Sequence, residues 1–357
     1  MFNIIRNIYL SDKACIKRGY VRSDFFDLNL GVRQGCILSP LLFNIFLSDL
    51  AKAFESHDDK FVIGDNSINS LFWADDLVLL AKSEENLAKL LKILEEYSCE
   101  NELEINTKKT KCMIFNKTGR LIRRSFYVNG AQLENVREYK YLGFKLTPSC
   151  EIASGLQDLR DRGLKAYMKI KQDLGNSFNQ EIPITLSLID TLIKPILLYA
   201  SDFWGCLKLP STNPIENLHM MMCKQILGVQ KQTTNTGVLL ELGRVPLHLY
   251  AKKFAIKNWE RVKRGQANTI LLSSYSDSIN ENLPWTNGVR SILENNGMLS
   301  FYTNEYTSTT PFIAKRMFER IVDSFHQNSF ASINSVSSKL RTYAIFKKEI
   351  GLEKYPF

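Results

Sequence analysis

The 357-residue sequence has no unbroken apolar stretch long enough to span a bilayer. Its longest runs, Ile37–Leu47 and Ile184–Leu198, are too short or are broken by Asp190 and Lys194. The N-terminus lacks an apolar core followed by small residues, so no secretory signal is read. Cysteine is sparse and scattered: seven residues, an odd number, with no Cys-x-x-Cys pair. That excludes a disulfide framework and a zinc-ligand spacing, and it fits a reducing compartment, cytoplasm and/or nucleus. The four histidines, His57, His219, His248 and His326, stand alone in the sequence and read as surface or packing residues. Internal repeats and low-complexity segments are missing too.

What is present is a globular composition, 45% hydrophobic and 23% charged, in a chain long enough to bury a sizeable core. The net charge of +9 is uneven: +2 in residues 1–150 and +7 in the remainder. One basic cluster, Lys108, Lys109, Lys111, Lys117, Arg120, Arg123 and Arg124, contains no acid. A second, Lys252, Lys253, Lys257, Arg261, Lys263 and Arg264, is opposed only by Glu260. Such faces suit a phosphate backbone, although a solvated helix face is the simpler reading of charge alone.

The first part of the chain mixes strand and helix patterns. Residues 1–10 have helical spacing, and residues 15–30 alternate like two strands. Ser39-Pro40 opens an apolar helix to about Ala53, with Ser39 expected as N-cap and Pro40 at the first helical position. Residues 69–82 read as a hairpin turning at Asp75-Asp76. Ser83 is placed to cap a helix striped by Leu87, Leu90, Leu91, Leu94 and Tyr97, with Glu84 and Glu85 in its first turn. Strands are expected near Lys111–Phe115 and Phe126–Val128, with Asn129-Gly130 turning into Tyr139–Leu146. Beyond about Glu151 helical spacing dominates, at 154–175, 183–203, 214–227 and 246–264. Ser273–Asn287 looks like a linker, and two more helices are expected at 311–327 and 335–351.

The residues with most chemistry lie in Leu71-Phe72-Trp73-Ala74-Asp75-Asp76-Leu77-Val78-Leu79-Leu80. Adjacent carboxylates between apolar strands need compensation, which a divalent cation supplies because hard cations take carboxylate oxygens. A plain Asp turn is the bland alternative. Upstream, Gly31-Val32-Arg33-Gln34-Gly35-Cys36-Ile37-Leu38-Ser39-Pro40-Leu41-Leu42-Phe43-Asn44 leads a Gly-flanked loop into a helix N-terminus, which favours a phosphate. Downstream are Asn106-Thr107-Lys108-Lys109-Thr110 and Tyr141-Leu142-Gly143.

Taken in this order, the motifs resemble the reverse transcriptase of non-LTR (LINE-type) retrotransposons. The likeness continues through Lys194–Ser201, Trp204-Gly205, Ile226–Val229, Glu241–Pro246 and Lys339–Tyr343. The resemblance implies an α+β fold: a polymerase palm, an antiparallel sheet with packed helices, followed by an all-helical thumb and C-terminal region. The expected divisions are 1–150, 151–270 and 271–357. It implies RNA-directed DNA synthesis, in which a primer hydroxyl attacks the α-phosphate of a dNTP. Two metal ions about 3.5–4 Å apart, Mg2+ or Mn2+, assist. By the same resemblance Asp75 and Asp76 are the metal and catalytic carboxylates, and Lys109 assists the leaving group. Arg33, Gln34 and Gly35 place nucleotide and template, and Tyr141, Leu142 and Gly143 grip the primer. The implied partners are an RNA template, a DNA primer or target, and dNTP, with no membrane. The sequence gives no oligomeric state.

Two departures stand out. Trp73 occupies a place usually held by Tyr or Phe, and Cys36-Ile37 replaces a pair such as Asp-Pro. The family also carries a third carboxylate on a strand before the Gly31–Pro40 block. Asp24 and Asp27 lie too close to Gly31 to supply it. The expectation is therefore a chain that starts inside the palm and is weak or inactive alone. The alternatives are a related polymerase such as an intron maturase, a non-catalytic basic nucleic-acid-binding relic of the element, and an unfolded remnant.

Overall fold

The computed structural model describes residues 2–10, 12–28, 31–175, 181–303, 312–335 and 338–352. The chain divides into two compact units: Met1–Val62 with Ser67–Ile105, and Ile63–Asn66 with Asn106–Phe357.

In the first unit, α1 (Phe2–Tyr9) leads into four two-residue strands, β1 (Lys13–Ala14), β2 (Lys17–Arg18), β3 (Val21–Arg22) and β4 (Phe26–Asp27). These nest as antiparallel pairs, β2 with β3 inside β1 with β4. Two strands were expected here, and Gly19, at φ +63°, divides the segment further. Helix α2 (Ser39–Glu55) follows. Ser39 is not its N-cap: Leu38 holds that position, while the Ser39 hydroxyl donates 2.6 Å to the Arg33 carbonyl. The hydroxyl thus ties the preceding loop down instead of capping the helix. Pro40 keeps its expected place in the first turn, where a missing N–H costs nothing.

Strands β5 (Phe61–Ile63) and β6 (Asn66–Ile68) pair, as do β7 (Ser70–Trp73) and β8 (Asp76–Leu79). Helix α3 (Glu84–Glu100) starts as expected, with the Ser83 hydroxyl accepting the Asn86 N–H at 3.1 Å and Glu84 and Glu85 in the positive first turn. The core is small: Leu50 and Phe54, one helical turn apart on α2, meet Leu90 of α3.

The second unit begins with short strands: β9 (Lys111–Cys112), β10 (Tyr127–Val128), β11 (Ala131–Gln132), β12 (Glu134–Asn135), β13 (Tyr139–Tyr141) and β14 (Phe144–Leu146). Asn129 and Gly130 both have positive φ, as a two-residue hairpin requires. Their hairpin closes on Ala131–Gln132, and Tyr139–Leu146 folds back on itself instead. A continuous antiparallel palm sheet was expected. Among the described residues the strands pair only two by two, and β9 with β12 is parallel. The architecture is α+β, of helices and small sheets.

Helices then dominate, as expected. Leu156, Leu159, Gly163, Tyr167 and Ile170 make one buried stripe along α4 (Ala153–Leu174). Gly163 is required there, because a Cβ would overlap Leu197. The single helix expected at 183–203 is interrupted. It comprises α5 (Ile182–Leu188), a π-helical turn (Ile189–Ile193), α6 (Lys194–Leu197) and, after left-handed Ala200, α7 (Ser201–Trp204). Pro195 explains the first break, since it lacks an N–H for the regular ladder. Asn213 caps α8 (Pro214–Ile226). Next come α9 (Asn235–Leu242), which has no counterpart among the expected elements, and α10 (Leu247–Lys263).

The expected linker at 273–287 is helical instead, formed by α11 (Thr269–Asn280) and the start of α12 (Pro284–Asn295). The Asn268 side chain caps α11, Pro284 sits in the first turn of α12, and the Thr286 hydroxyl donates to the Ser278 carbonyl at 2.9 Å. Polar residues read as loop are therefore caps and inter-helix bonds. Helices α13 (Ser300–Thr303), α14 (Ile313–Asn334) and α15 (Arg341–Phe346) complete the unit. The last expected helix, 335–351, is shortened to α15, with residues 336 and 337 outside the described set. Glu260, the one acid in the second basic cluster, is buried: it pairs with Arg264 at 2.7 Å and accepts the Phe312 N–H at 3.1 Å, at the start of α14.

Candidate active site

The β7–β8 hairpin pairs Ser70 with Leu79, Phe72 with Leu77, and Trp73 with Asp76. The turn is thus Ala74-Asp75, one residue earlier than expected, and Asp76 is the first residue of β8. Side chains alternate across a hairpin. Phe72, Leu77 and Leu79 pack on the Leu50–Phe54–Leu90 core, with the Phe54 and Phe72 rings 6.2 Å apart. Trp73 and Asp76 therefore share the opposite, exposed face. Asp75 projects from the turn itself and is also exposed. Ala74 has φ +53°, a left-handed conformation that hairpins ordinarily give to Gly, Asn or Asp.

The base of the hairpin is fixed by Asn69, which the sequence motifs did not single out. It is buried, its side-chain amide donates 2.6 Å to the Phe54 carbonyl, and its own carbonyl accepts the Leu80 N–H at 2.7 Å. A polar residue immediately before an apolar strand was the available signal. Among the described residues neither Asp75 nor Asp76 forms an ion pair or a side-chain hydrogen bond. The pair is thus two adjacent carboxylates without a cationic partner, held on a strained, anchored turn. That donor set suits Mg2+, which is commonly held by one or two carboxylates with substrate phosphates completing its shell. Among the described residues no group of three or more His, Cys, Asp or Glu side chains could hold a metal.

The Gly31–Gly35 loop lies in the same unit. Gly31 and Gly35 have φ +83° and +82°, and open space surrounds both, so backbone conformation alone explains the glycines. Gln34 is exposed. Arg33 is engaged: its guanidinium makes a two-pronged ion pair with Asp12, donates 2.5 Å to the Ile8 carbonyl and lies over the Tyr9 ring at 5.2 Å. Asp12 is itself mostly buried. No local spacing announces an acid 21 residues before its partner. Cys36 sits where the loop enters α2, and the Leu38 amide, followed by the Tyr9 hydroxyl, holds its thiol below the ordinary range.

Lys109 and Tyr141–Gly143 belong to the second unit. Asn106 organises the Lys109 turn, its side chain accepting the Lys109 N–H at 3.1 Å and its carbonyl the Thr110 N–H at 2.9 Å. The Lys109 side chain is exposed. Leu142 and Gly143, both at positive φ, form the two-residue turn between β13 and β14. That turn is latched: the Tyr199 hydroxyl donates to the Leu142 carbonyl, and Arg162 donates 2.8 Å to the Gly143 carbonyl. Arg162 also pairs with Asp158, which Lys140 shares. Two of the histidines do not stand alone. His248 Nδ1 lies 2.9 Å from Glu216, and His219, buried, lies 3.7 Å from the other oxygen of the same carboxylate. Helical spacing of Glu216 and His219 was a signal for one of these pairs.

Residues 2–146 match the family described as reverse transcriptase (RNA-dependent DNA polymerase). The chain is also similar to curated retrotransposon proteins. The chain is 23% identical to the RNA-directed DNA polymerase from mobile element jockey of Drosophila funebris, over 64% of the chain and 25% of that protein. It is 26% identical to the Pol polyprotein from type-1 retrotransposable element R2 of Nasonia vitripennis, over 64% of the chain and 24% of that protein. It is 31% identical to the Pol polyprotein from type-2 retrotransposable element R2DM of Drosophila melanogaster, over 48% of the chain and 17% of that protein. The expected likeness to non-LTR retrotransposon polymerases is met. The chain spans a quarter or less of the length of these relatives. Among the described residues no helix is long and apolar enough to cross a membrane.

Proposed function

We propose that the chain serves RNA-directed DNA synthesis for a non-LTR retrotransposable element, with an RNA template, a DNA primer or target, and dNTP as its partners. The observation that carries this reading is the Asp75-Asp76 turn: two uncompensated carboxylates on an anchored hairpin within a reverse transcriptase domain. In this reading Asp75 holds Mg2+ or Mn2+ and Asp76 supports it. The metal, when bound, supplies positive charge against the oxygens of phosphoryl transfer.

The chain's own groups do the positioning. Gly35 lets the backbone approach a nucleotide, Gln34 and Arg33 orient nucleotide and template, and Lys109 stabilises charge on the leaving group. Tyr141, Leu142 and Gly143 hold the primer end. The divisions 1–150, 151–270 and 271–357 correspond to palm, thumb and C-terminal region. For Arg33 the role requires exchanging its Asp12 partner for a ligand, or acting by holding the loop in place.

Two measurements test the reading. Trp73, exposed beside the turn, is placed to sensitise Tb3+ luminescence. Signal is expected from the 357-residue chain and is expected to be lost in Asp75→Asn and Asp76→Asn; unchanged signal in both would overturn the metal assignment. In primer extension on poly(A)/oligo(dT) with Mg2+, these 357 residues alone are expected to give little or no synthesis, because the site holds two carboxylates. Robust synthesis that Asp75→Ala abolishes would overturn that second expectation while supporting the polymerase reading.

A further inference from the structure

Within the second unit, α10, residues 205–209 and one face of α12 enclose a recess of about 540 Å³, a size within the ordinary range of ligand sites. Lys208, His248 and Lys252 line one side, and Asn287, Ser291 and Asn295, recurring every four residues along α12, line the other. None of the lining residues is acidic. Among the described residues, neither the Lys208 nor the Lys252 ammonium has a carboxylate partner. Lys252 is half-buried, and burial pulls its pKa below the ordinary lysine value. A partly desolvated cation without a counter-charge favours an anion beside it.

The opposite wall is neutral and able to hydrogen-bond. The Asn287 and Asn295 amides each use one donation internally, to the Asn282 carbonyl and the Ser291 hydroxyl, and each NH2 has a second N–H. The walls are held by close backbone approach: a Cβ on Gly288 would overlap the Cys206 carbonyl, and one on Gly205 the Ala251 carbonyl.

We propose that this recess binds a nucleotide unit, its phosphate on the Lys208–Lys252 side and its uncharged polar groups along α12. The proposal is independent of chemistry at Asp75. The unit can come from a free nucleotide or from a nucleic-acid strand.

The test uses the 357-residue protein with two probes, AMP and a single-stranded RNA of about twelve nucleotides, followed by calorimetry and fluorescence anisotropy. Lys252→Gln and Asn295→Asp are each expected to weaken binding about tenfold, and Lys252→Arg to retain it. Lys169→Gln, an exposed lysine on α4, controls for general charge and is expected to change binding less than twofold. Thermal unfolding confirms that each variant is folded. Asn295, exposed on its helix, keeps the test open should Lys252→Gln misfold. Variant-sensitive binding of AMP identifies a free nucleotide, and of RNA alone a strand; either supports the proposal. Failure of both probes to bind would overturn it. So would equal affinity in Lys252→Gln and Asn295→Asp, or an equal loss in Lys169→Gln.

Discussion

The two units invert each other's balance of chemistry and core. The first carries the carboxylate turn on a core of Leu50, Phe54 and Leu90, while Ile37 just before α2 and Leu41, Ile45 and Phe46 on it face solvent. The second buries Leu156, Leu159, Tyr167, Ile193, Leu197, Trp204 and Leu218 in one cluster, and Ile256, Trp259, Val289 and Met317 in another. Each fully buried side chain of this kind is worth about 1.5–3 kcal/mol. The second unit therefore has a broad reserve, whereas the first depends on a few contacts that also seat the Asp75-Asp76 hairpin. A site can be well positioned locally, by Asn69 and the Phe54–Phe72 contact, on a unit with little stability to spare.

The largest effect is expected at Trp259, which is fully buried, stacked 6.1 Å from Tyr302 and donating to the Tyr275 hydroxyl. Trp259→Ala should cost about 3–5 kcal/mol, measured by denaturant unfolding. Phe54→Ala should cost about 3 kcal/mol, a larger share of what its unit has, and limited proteolysis should then cut within residues 1–105. A cost under about 1 kcal/mol would break the comparison.

Acid should separate the units next. Burial alone would raise the Glu216 carboxyl, but His219 and His248 prevail and hold it down at about 2, from an ordinary 4.5. A depressed carboxyl contributes stability that is present above its unfolded value and lost as pH falls through its folded one. The second unit should therefore lose stability between about pH 4.5 and 2, and Glu216→Gln should flatten that loss in circular dichroism melts. The smallest effect runs the other way. Ala74→Gly should relieve the left-handed turn and stabilise the first unit by up to about 1 kcal/mol; a destabilisation would show that the Ala74 methyl packs.

Much of this was legible because local chemistry decided it. Ser83, Glu84 and Glu85 start α3, the Leu90–Leu91 stripe buries, Asn129-Gly130 turns, and the motif order resembles the family that residues 2–146 match. Failures arose where distant partners decided. Arg33 meets Asp12 and Ser39 meets the Arg33 carbonyl, contacts that no spacing announces. His219 and His248 meet at Glu216 because α8 and α10 pack together. Residues 273–287 look like a linker by composition, yet their polar side chains satisfy one another between helices. The hairpin was off by one residue because two aspartates suggest a turn more strongly than alanine does, while pairing of Trp73 with Asp76 set the register.

The π-helical turn at Ile189–Ile193 has a consequence for the loss of a residue. It holds one residue more than an α-helical turn would, and Ile189, Ile193 and Leu197, spaced by four across it, all lie on the buried side. Elsewhere in a helix, losing one residue rotates everything beyond it by about 100°. Here the loss of exposed Leu192 would convert the bulge to an ordinary turn and leave Lys194 over Tyr250, 3.5 Å from its ring. A chain lacking Leu192 is therefore expected to keep the same core, which thermal unfolding of that deletion would check.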